Sequence, residues 1–292
     1  MSETIRIACG DSECVLLPQT GGSIGRWRVG AQDMLRRALR NEDILSVSSF
    51  PLIPFSNRIA DAQFEWNGKV IALSHSVLAA PHAHHGLGWQ REWAIAEHSE
   101  DMALLRLDHT GDNDWPWPFT AEQRISVGER SLDLSLSVRN LASKRVPLAF
   151  GHHPYFDSAG ATLRFNAAQF YPNGDDALPL DPRPIDASND FSIGRSVNEH
   201  AFDNLFADWT GEAEIIWPAR KFALRIGSDL SHALVYTPPG EDYFCFEPVS
   251  HITDALNRSD GDMPVILPGE SYSARIRLSA VASPAGRRQR RS

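Results

Sequence analysis

The sequence predicts a mostly β protein, one large and twisted antiparallel sandwich with little helix. Segments alternate apolar and polar residues with the period of two that a half-buried strand requires. The 20 glycines and 19 prolines are scattered as turn punctuation and form no linker. No long stretch repeats convincingly with a period of 3.6. SLDLSLSVRN is the clearest strand, with Leu132, Leu134, Leu136 and Val138 on one side and Asp133, Ser135 and Ser137 on the other. SYSARIRLSAV repeats the pattern with Tyr272, Ala274, Ile276 and Leu278. AQFEWNGKVIAL sets Asn67-Gly68 between two apolar runs, a strong hairpin signal. ALLRLDH, ATLRFNAAQFY, AEIIWPARKFALRI and HALVYTP read as further strands. AQDMLRRALRNEDIL is the nearest approach to a helix. The polar, proline-rich run Tyr171–Asn204 is expected to be an ordered excursion over one face, because FSIG and HAFDNLF return apolar anchors. Sandwiches of this size often form one unit, so a single domain is expected over 1–282. The basic SPAGRRQRRS at 283–292 reads as a disordered tail.

Composition narrows the function classes. With 42% hydrophobic and 22% charged residues, the chain has ample material for a core. A net charge of -9 argues against nucleic acid as a partner and disfavours a strongly anionic substrate. Cys9, Cys14 and Cys245 have no spacing that suggests a disulfide framework or a zinc motif. MSETIRIACGDSE lacks the basic start and apolar core of a signal peptide. No stretch approaches the ~18 consecutive apolar residues of a membrane span. A soluble cytoplasmic protein without a membrane partner is expected.

Five of the 11 histidines fall in two short segments, FGHHPYF and PHAHHGLGW. They read as metal ligands, proton-transfer groups or buried rings. HAHH offers His82, His84 and His85, with His153 or Glu247 as a further ligand. It lacks an adjoining carboxylate, a His-Glu-x-x-His pattern and paired cysteines, so neither a metal nor a cofactor is expected. For proton transfer, a histidine needs a carboxylate partner. Glu247, after the apolar run Phe244-Cys245-Phe246, is costly to bury without a partner or a task. A structural ion pair fits that pattern equally well. Arg58 beside Asn57 suits hydroxyl or carboxylate recognition, or the bracing of a loop. Trp115, Trp117 and Phe119 in DWPWPF could stack on a sugar, but anchoring a loop to the core is the favoured reading.

The ordered set FSNRIADAQFEWNGK, HHGLGW, GHHPYF, HAFDNLF, VYTPPG and FCFEPVSHITDALN resembles the aldose 1-epimerase (galactose mutarotase) family. The likeness runs from about LPQTGGSIGRW to ILPGESYSARIRL. Each motif is loose, and it is the six in one order that carry the resemblance. It implies a β-supersandwich, monomeric or homodimeric, that interconverts the α and β anomers of a free aldohexose such as galactose or glucose without a cofactor. It assigns His153 as the acid at the ring oxygen and Glu247 as the base at the anomeric hydroxyl. Asn57, Arg58, His85, Tyr155 and Asp203 become sugar contacts, while His82, His84 and His152 become structural. Three positions depart from the family pattern. Pro238 stands where many members carry Gln, Asp157-Ser158 replaces the usual Asn-Leu, and Pro248-Val249 follows Glu247. Members acting on hexose 6-phosphates tend to carry an Arg after the first His-Gly, where this chain has Gly88-Trp89. The alternatives are a hexose-6-phosphate 1-epimerase, a non-catalytic carbohydrate-binding protein on the same fold, and a metal-dependent β-sandwich enzyme using HAHH.

Overall fold

The computed structural model describes residues 4–38 and 43–283. Among them, two antiparallel sheets dominate, one of 11 strands and one of 9. The expected strands form. In Ser131–Asn140 the leucines and Val138 are buried and face the core, while the residues between them are more open. Asn67 and Gly68 both take positive φ and join Gln63–Trp66 to Lys69–Ala72 as the expected two-residue hairpin. Three 3₁₀ turns occur among the described residues, and no α-helix. Among the described residues no helix is long and apolar enough to cross a membrane.

The segment nearest to a helix is not one where it is described. Gln32–Asp33 pairs with Ser23–Val29, and Ile44–Ser46 is a 3₁₀ turn capped by Asp43. Tertiary contacts override the local preference here. The Gln32 amide exchanges two hydrogen bonds with the backbone of Phe222 (2.9 and 3.0 Å), and the Arg36 guanidinium lies over the rings of Tyr155 and Tyr243. Positions 39–42 of that segment lie outside the described residues. The 171–204 excursion is ordered as expected. Phe191 stacks on Phe165 (4.9 Å), and Phe202 packs on Phe191 (5.2 Å). Arg183–Pro184 ties the excursion to the larger sheet and Arg195–Ser196 to the smaller one. Trp115, Trp117 and Phe119 are buried, Trp115 against Phe55 and Phe64, Trp117 against Phe64 and Phe119 against His109, which is the loop-anchoring role. Ser283, first of the expected tail, is buried and donates its amide to Lys221 O (3.0 Å). The rest of that tail lies outside the described residues.

The middle of the larger sheet positions the chemistry. Its consecutive strands are Ser49–Leu52, Gly151–Asp157, Tyr243–Val249, His232–Tyr236 and Asp203–Ala207. Gly151–Asp157 is buried on both faces over nearly its whole length, as a strand between two packed layers must be. One face meets the smaller sheet and the other floors a cavity.

Candidate active site

His152 and His153 leave that strand on opposite faces. His152 points between the sheets. Its Nε2 meets Gln123 Oε1 on the facing sheet (2.8 Å), and its Nδ1 meets Ser49 Oγ. The Gln123 amide nitrogen donates to Gly22 O (2.8 Å), which leaves Oε1 as an acceptor. His152 therefore carries its proton on Nε2 and accepts the Ser49 hydroxyl proton on Nδ1. Burial depresses its pKa to about 3, in keeping with a neutral ring.

His153 faces the cavity. Gly151 pairs with Val249 and Tyr155 with Cys245, a register that sets His153 opposite Glu247. Pro154 and Pro248, each following its site residue, can donate no ladder hydrogen bond. Cross-strand neighbours share a face, and His153 Nε2 lies 3.4 Å from Glu247 Oε1. Phe50 stacks on the His153 ring (4.6 Å), fixing its plane. Desolvation lowers the His153 pKa to about 3, aided by His84. Desolvation, then the Asp203 charge, raises Glu247 well above 4.5. Both shifts favour neutral groups, with the proton resting on Glu247. A neutral imidazole with a carboxylic acid and an imidazolium with a carboxylate hold the same number of protons. They differ by the position of one proton across the 3.4 Å gap.

Asp203 starts the strand Asp203–Ala207, and Asn57, Arg58 and His85 come from two loops beside the sheet. Arg58–Ile59 pairs with Ala83–His84 in a small ladder of its own. Asn57 and His85 both take positive φ, a conformation costly for a residue with a side chain and found mostly where surrounding contacts enforce it. The enforcing contacts are visible. The Asn57 amide donates to His85 Nδ1 (3.1 Å), and the His85 amide donates to Asn57 O (2.8 Å). Burial holds His85 well below 6.5, so its ring is neutral, with Nδ1 as acceptor and Nε2–H as donor. Ile53 O accepts from the amides of Leu87 and Gly88 (2.7 and 2.8 Å).

From the other side, SHITDALN braces the same loop. His251 Nε2 accepts the Ser56 amide (3.0 Å) and Asp254 accepts the Ala60 amide (2.9 Å), while the Asp254 amide donates to Arg58 O (3.0 Å). Arg58 in turn donates to Asn57 Oδ1 (3.1 Å) and to Asp203 Oδ2 (3.4 Å). Burial raises the Asp203 pKa despite that cation. His82 is a brace of the same kind, accepting the Asp61 amide on Nδ1 (3.0 Å).

Together these groups line a cavity of about 280 Å³, near the lower end of small-molecule sites. Asn57, Arg58, His85, His153, Tyr155, Asp203 and Glu247, the residues singled out in the sequence, all lie on its wall. His84, expected to be structural, lines it too, with its ring against that of His85 (3.6 Å). Sequence reasoning also missed Trp89, Tyr236 and Tyr243. Trp89 was legible in principle, because it ends the His-Gly motif. Tyr236 lies in VYTPPG and Tyr243 just before FCFEPVSHITDALN, but the pairing of His232–Tyr236 with Tyr243–Val249 is what brings both here. Pro238 is not part of this wall. The Asp157-Ser158 departure serves the scaffold, since Asp157 pairs with Arg220 and its carbonyl accepts from Trp217 Nε1 (2.8 Å). Among the described residues HAHH belongs to no set of three or more groups placed to hold a metal ion. Among the described residues one set could hold a metal ion, and it is His153, Cys245 and Glu247.

The chain belongs to the aldose 1-epimerase family, whose model matches residues 3–279. It is 28% identical over 279 residues to the uncharacterized protein YphB of Escherichia coli (strain K12), covering 88% of this chain and 92% of that one. Over 160 residues it is 29% identical to an aldose 1-epimerase of Haemophilus influenzae, covering 50% of this chain and 46% of the relative. Among solved structures, a candidate aldose 1-epimerase from Escherichia coli K12 superposes with a TM-score of 0.89 at 25% identity, covering 96% of this chain and 99% of the other.

Proposed function

We propose that this chain interconverts the α and β anomers of a free, neutral aldohexose by opening and reclosing the pyranose ring. The observation that carries the reading is the cross-strand pair, His153 Nε2 and Glu247 Oε1 at 3.4 Å, on the floor of a cavity rimmed by sugar-sized polar groups. Family membership supports the reaction class.

In the ion-pair form of the couple, His153 gives its proton to the ring oxygen while Glu247 takes the proton of the anomeric hydroxyl. The C1–O5 bond breaks and the aldehyde forms. The couple is then neutral, which is the arrangement that burial favours. Rotation about C1–C2 presents the other carbonyl face. Closure follows by the reverse transfers, from the O5 hydroxyl to His153 and from Glu247 to the aldehyde oxygen. Each half-reaction thus moves the pair between two forms with the same proton count. His85 Nε2–H donates to a sugar oxygen, while the Arg58–Asp203 pair and Asn57 hold hydroxyls. Tyr155 closes the wall beside His153 (ring centroids 4.6 Å apart).

The test is polarimetry on a panel of pure anomers with wild-type protein and Glu247→Gln. The amide keeps the shape and can still hydrogen-bond a hydroxyl, but it cannot accept the anomeric proton. The expected loss is about 10²- to 10⁴-fold, mostly in kcat, with sugar affinity largely retained. A folded variant with near-normal kcat would remove the base from Glu247 and favour a binding protein on this scaffold. No anomer accelerated by wild type would end the enzymatic reading.

A further inference from the structure

We infer that His153, Cys245 and Glu247 form an inhibitory site for a thiophilic divalent cation of the Zn²⁺ class, which excludes the sugar when it binds. The site goes beyond the proposed epimerase activity, and the binding half of its test does not depend on that activity. One imidazole nitrogen, one thiol sulfur and one carboxylate oxygen lie within 4.8 Å of one another, all on buried residues. The strands explain the cluster. Cys245 and Glu247 are two apart on Tyr243–Val249 and share a face, with His153 opposite Glu247 on the neighbouring strand.

The spacing suits a tetrahedral ion. A centre about 2.1 Å from its nitrogen and oxygen ligands has those ligands about 3.4 Å apart. That matches the His153 Nε2 to Glu247 Oε1 distance of 3.4 Å. The sulfur lies within 4.8 Å of both, so an approach of at most about 1 Å completes three corners. His153 and Glu247 line the cavity, so the fourth corner opens where the sugar would lie. The thiolate selects Zn²⁺ or Cd²⁺ over Mg²⁺ or Ca²⁺, which prefer all-oxygen shells.

The second ring nitrogen marks this as an inhibitory site and not a resident cofactor site. A histidine that holds a permanent metal normally anchors its other nitrogen on a carboxylate or carbonyl. His153 Nδ1 is buried with no hydrogen-bond partner among the described residues. The thiol of Cys245 and the carboxyl of Glu247, both held protonated by burial, release their protons to solvent as the ion enters. The ion then occupies both groups that move protons in the reaction.

The experiment uses metal-stripped protein, calorimetric titration with ZnCl₂, CdCl₂ and MgCl₂, and polarimetry on a monosaccharide. Cys245 is buried and is not part of the cavity wall, so Cys245→Ala and the shape-preserving Cys245→Ser are expected to keep the basal rate. Wild type should bind one zinc per chain, lose activity as it binds, recover with EDTA and ignore magnesium. Both Cys245 variants should bind zinc more weakly by on the order of a hundredfold and shift the inhibitory concentration alike, at least the loss that removing an outer-shell partner causes. His153→Ala, measured for binding alone, should weaken zinc comparably, and it decides the matter if neither cysteine variant folds. Zinc binding that is absent in wild type, or unchanged in the variants, overturns the site and assigns any inhibition to other histidines. If wild type shows no mutarotation at all, the calorimetry still decides whether the cation site exists.

Discussion

Successive residues of a strand project to opposite faces, and this separates His152 from His153. His152 satisfies both ring nitrogens inside the core, through Gln123 and Ser49, so its replacement is a stability event. His152→Ala leaves the Gln123 and Ser49 groups buried without a partner, at about 1–3 kcal/mol each. Its turnover per folded molecule should stay near that of wild type. His153→Ala should keep the fold and lose about 10²- to 10⁴-fold in kcat. Equal catalytic damage in two folded variants would remove the assignment. The pH profile tests the same pair. The active couple holds one proton, so activity ends when a second proton arrives or the first departs. His153, depressed to about 3, resists the second proton, and Glu247, raised well above 4.5, resists losing the first. The profile of kcat/KM should be a broad bell whose acid limb lies well below 6.5, with both limbs belonging to the coupled pair. An acid limb at the ordinary histidine value would show that burial does not hold the ring neutral.

The elements that carry the sugar contacts are loops locked by short-range geometry, and Gly86 is the tightest point. It takes a φ of +65°, and a Cβ there would sit 2.2 Å from Ile53 O. That carbonyl accepts the Leu87 and Gly88 amides, so it cannot move without loosening the turn that presents His85. Gly86→Ala is therefore expected to lower the thermal midpoint and also cut kcat/KM by about 10²-fold, the order that a 1 Å misplacement in a site can cost. A midpoint loss with full kcat/KM would show that His85 is not placed by this turn. At this scale the sequence was informative where the signal was periodic or local. Leu132 to Val138 and Asn67-Gly68 announce their strand and hairpin because alternation and turn chemistry are properties of neighbouring residues. His153 and Glu247 could be picked out as chemistry, but their partnership could not be derived from spacing, because it depends on the register between two strands, Gly151–Asp157 and Tyr243–Val249, that lie far apart in sequence. The bracing roles of His251 and Asp254 were hidden for the same reason. Each binds the amide of a residue nearly 200 positions away (|i−j| of 195 and 194), and a lone buried histidine or aspartate looks the same whether it braces a loop or meets a ligand. The place of His84 on the cavity wall was hidden too, because its ladder with Arg58 is a tertiary fact.

For the whole molecule, neutral histidines that are buried or, like His84, half-buried set the acid stability. His84, His85, His152, His153 and His251 all have pKa values depressed below 6.5 by desolvation. Below 6.5 the unfolded chain takes up protons that the folded chain refuses, so stability falls with pH, by up to about 1.4 kcal/mol per pH unit for each group. Asp203, Glu247 and Asp254, raised by burial, work in the opposite sense above their ordinary values but are fewer. The thermal midpoint should therefore drop between pH 6.5 and 4.5, and a midpoint that is flat or rises on acidification would contradict these shifts. Charge also bears on substrate choice. Among the described residues Arg58 is the single Arg or Lys on the cavity wall, engaged by Asn57 and Asp203, while Arg36 lies over the Tyr155 and Tyr243 rings and donates to Leu45 O and Val47 O. A phosphate ester bound beside Arg58 would meet the Asp203 carboxylate that already engages that guanidinium. A like charge about 5 Å away costs about 3 kcal/mol per unit charge at an effective dielectric near 20. The net charge of -9 also repels a dianion during approach. Glucose should thus exceed glucose 6-phosphate in kcat/KM by at least about tenfold, a margin of about 1.4 kcal/mol that allows for screening by salt and for relaxation. Polarimetry of both sugars at matched ionic strength measures the ratio. Raising the salt should narrow it, because the repulsion is electrostatic while hydroxyl contacts are not. A ratio that favours the phosphate ester would mean that a cation outside this wall reaches the site, and the neutral-sugar reading would give way to the hexose-6-phosphate one.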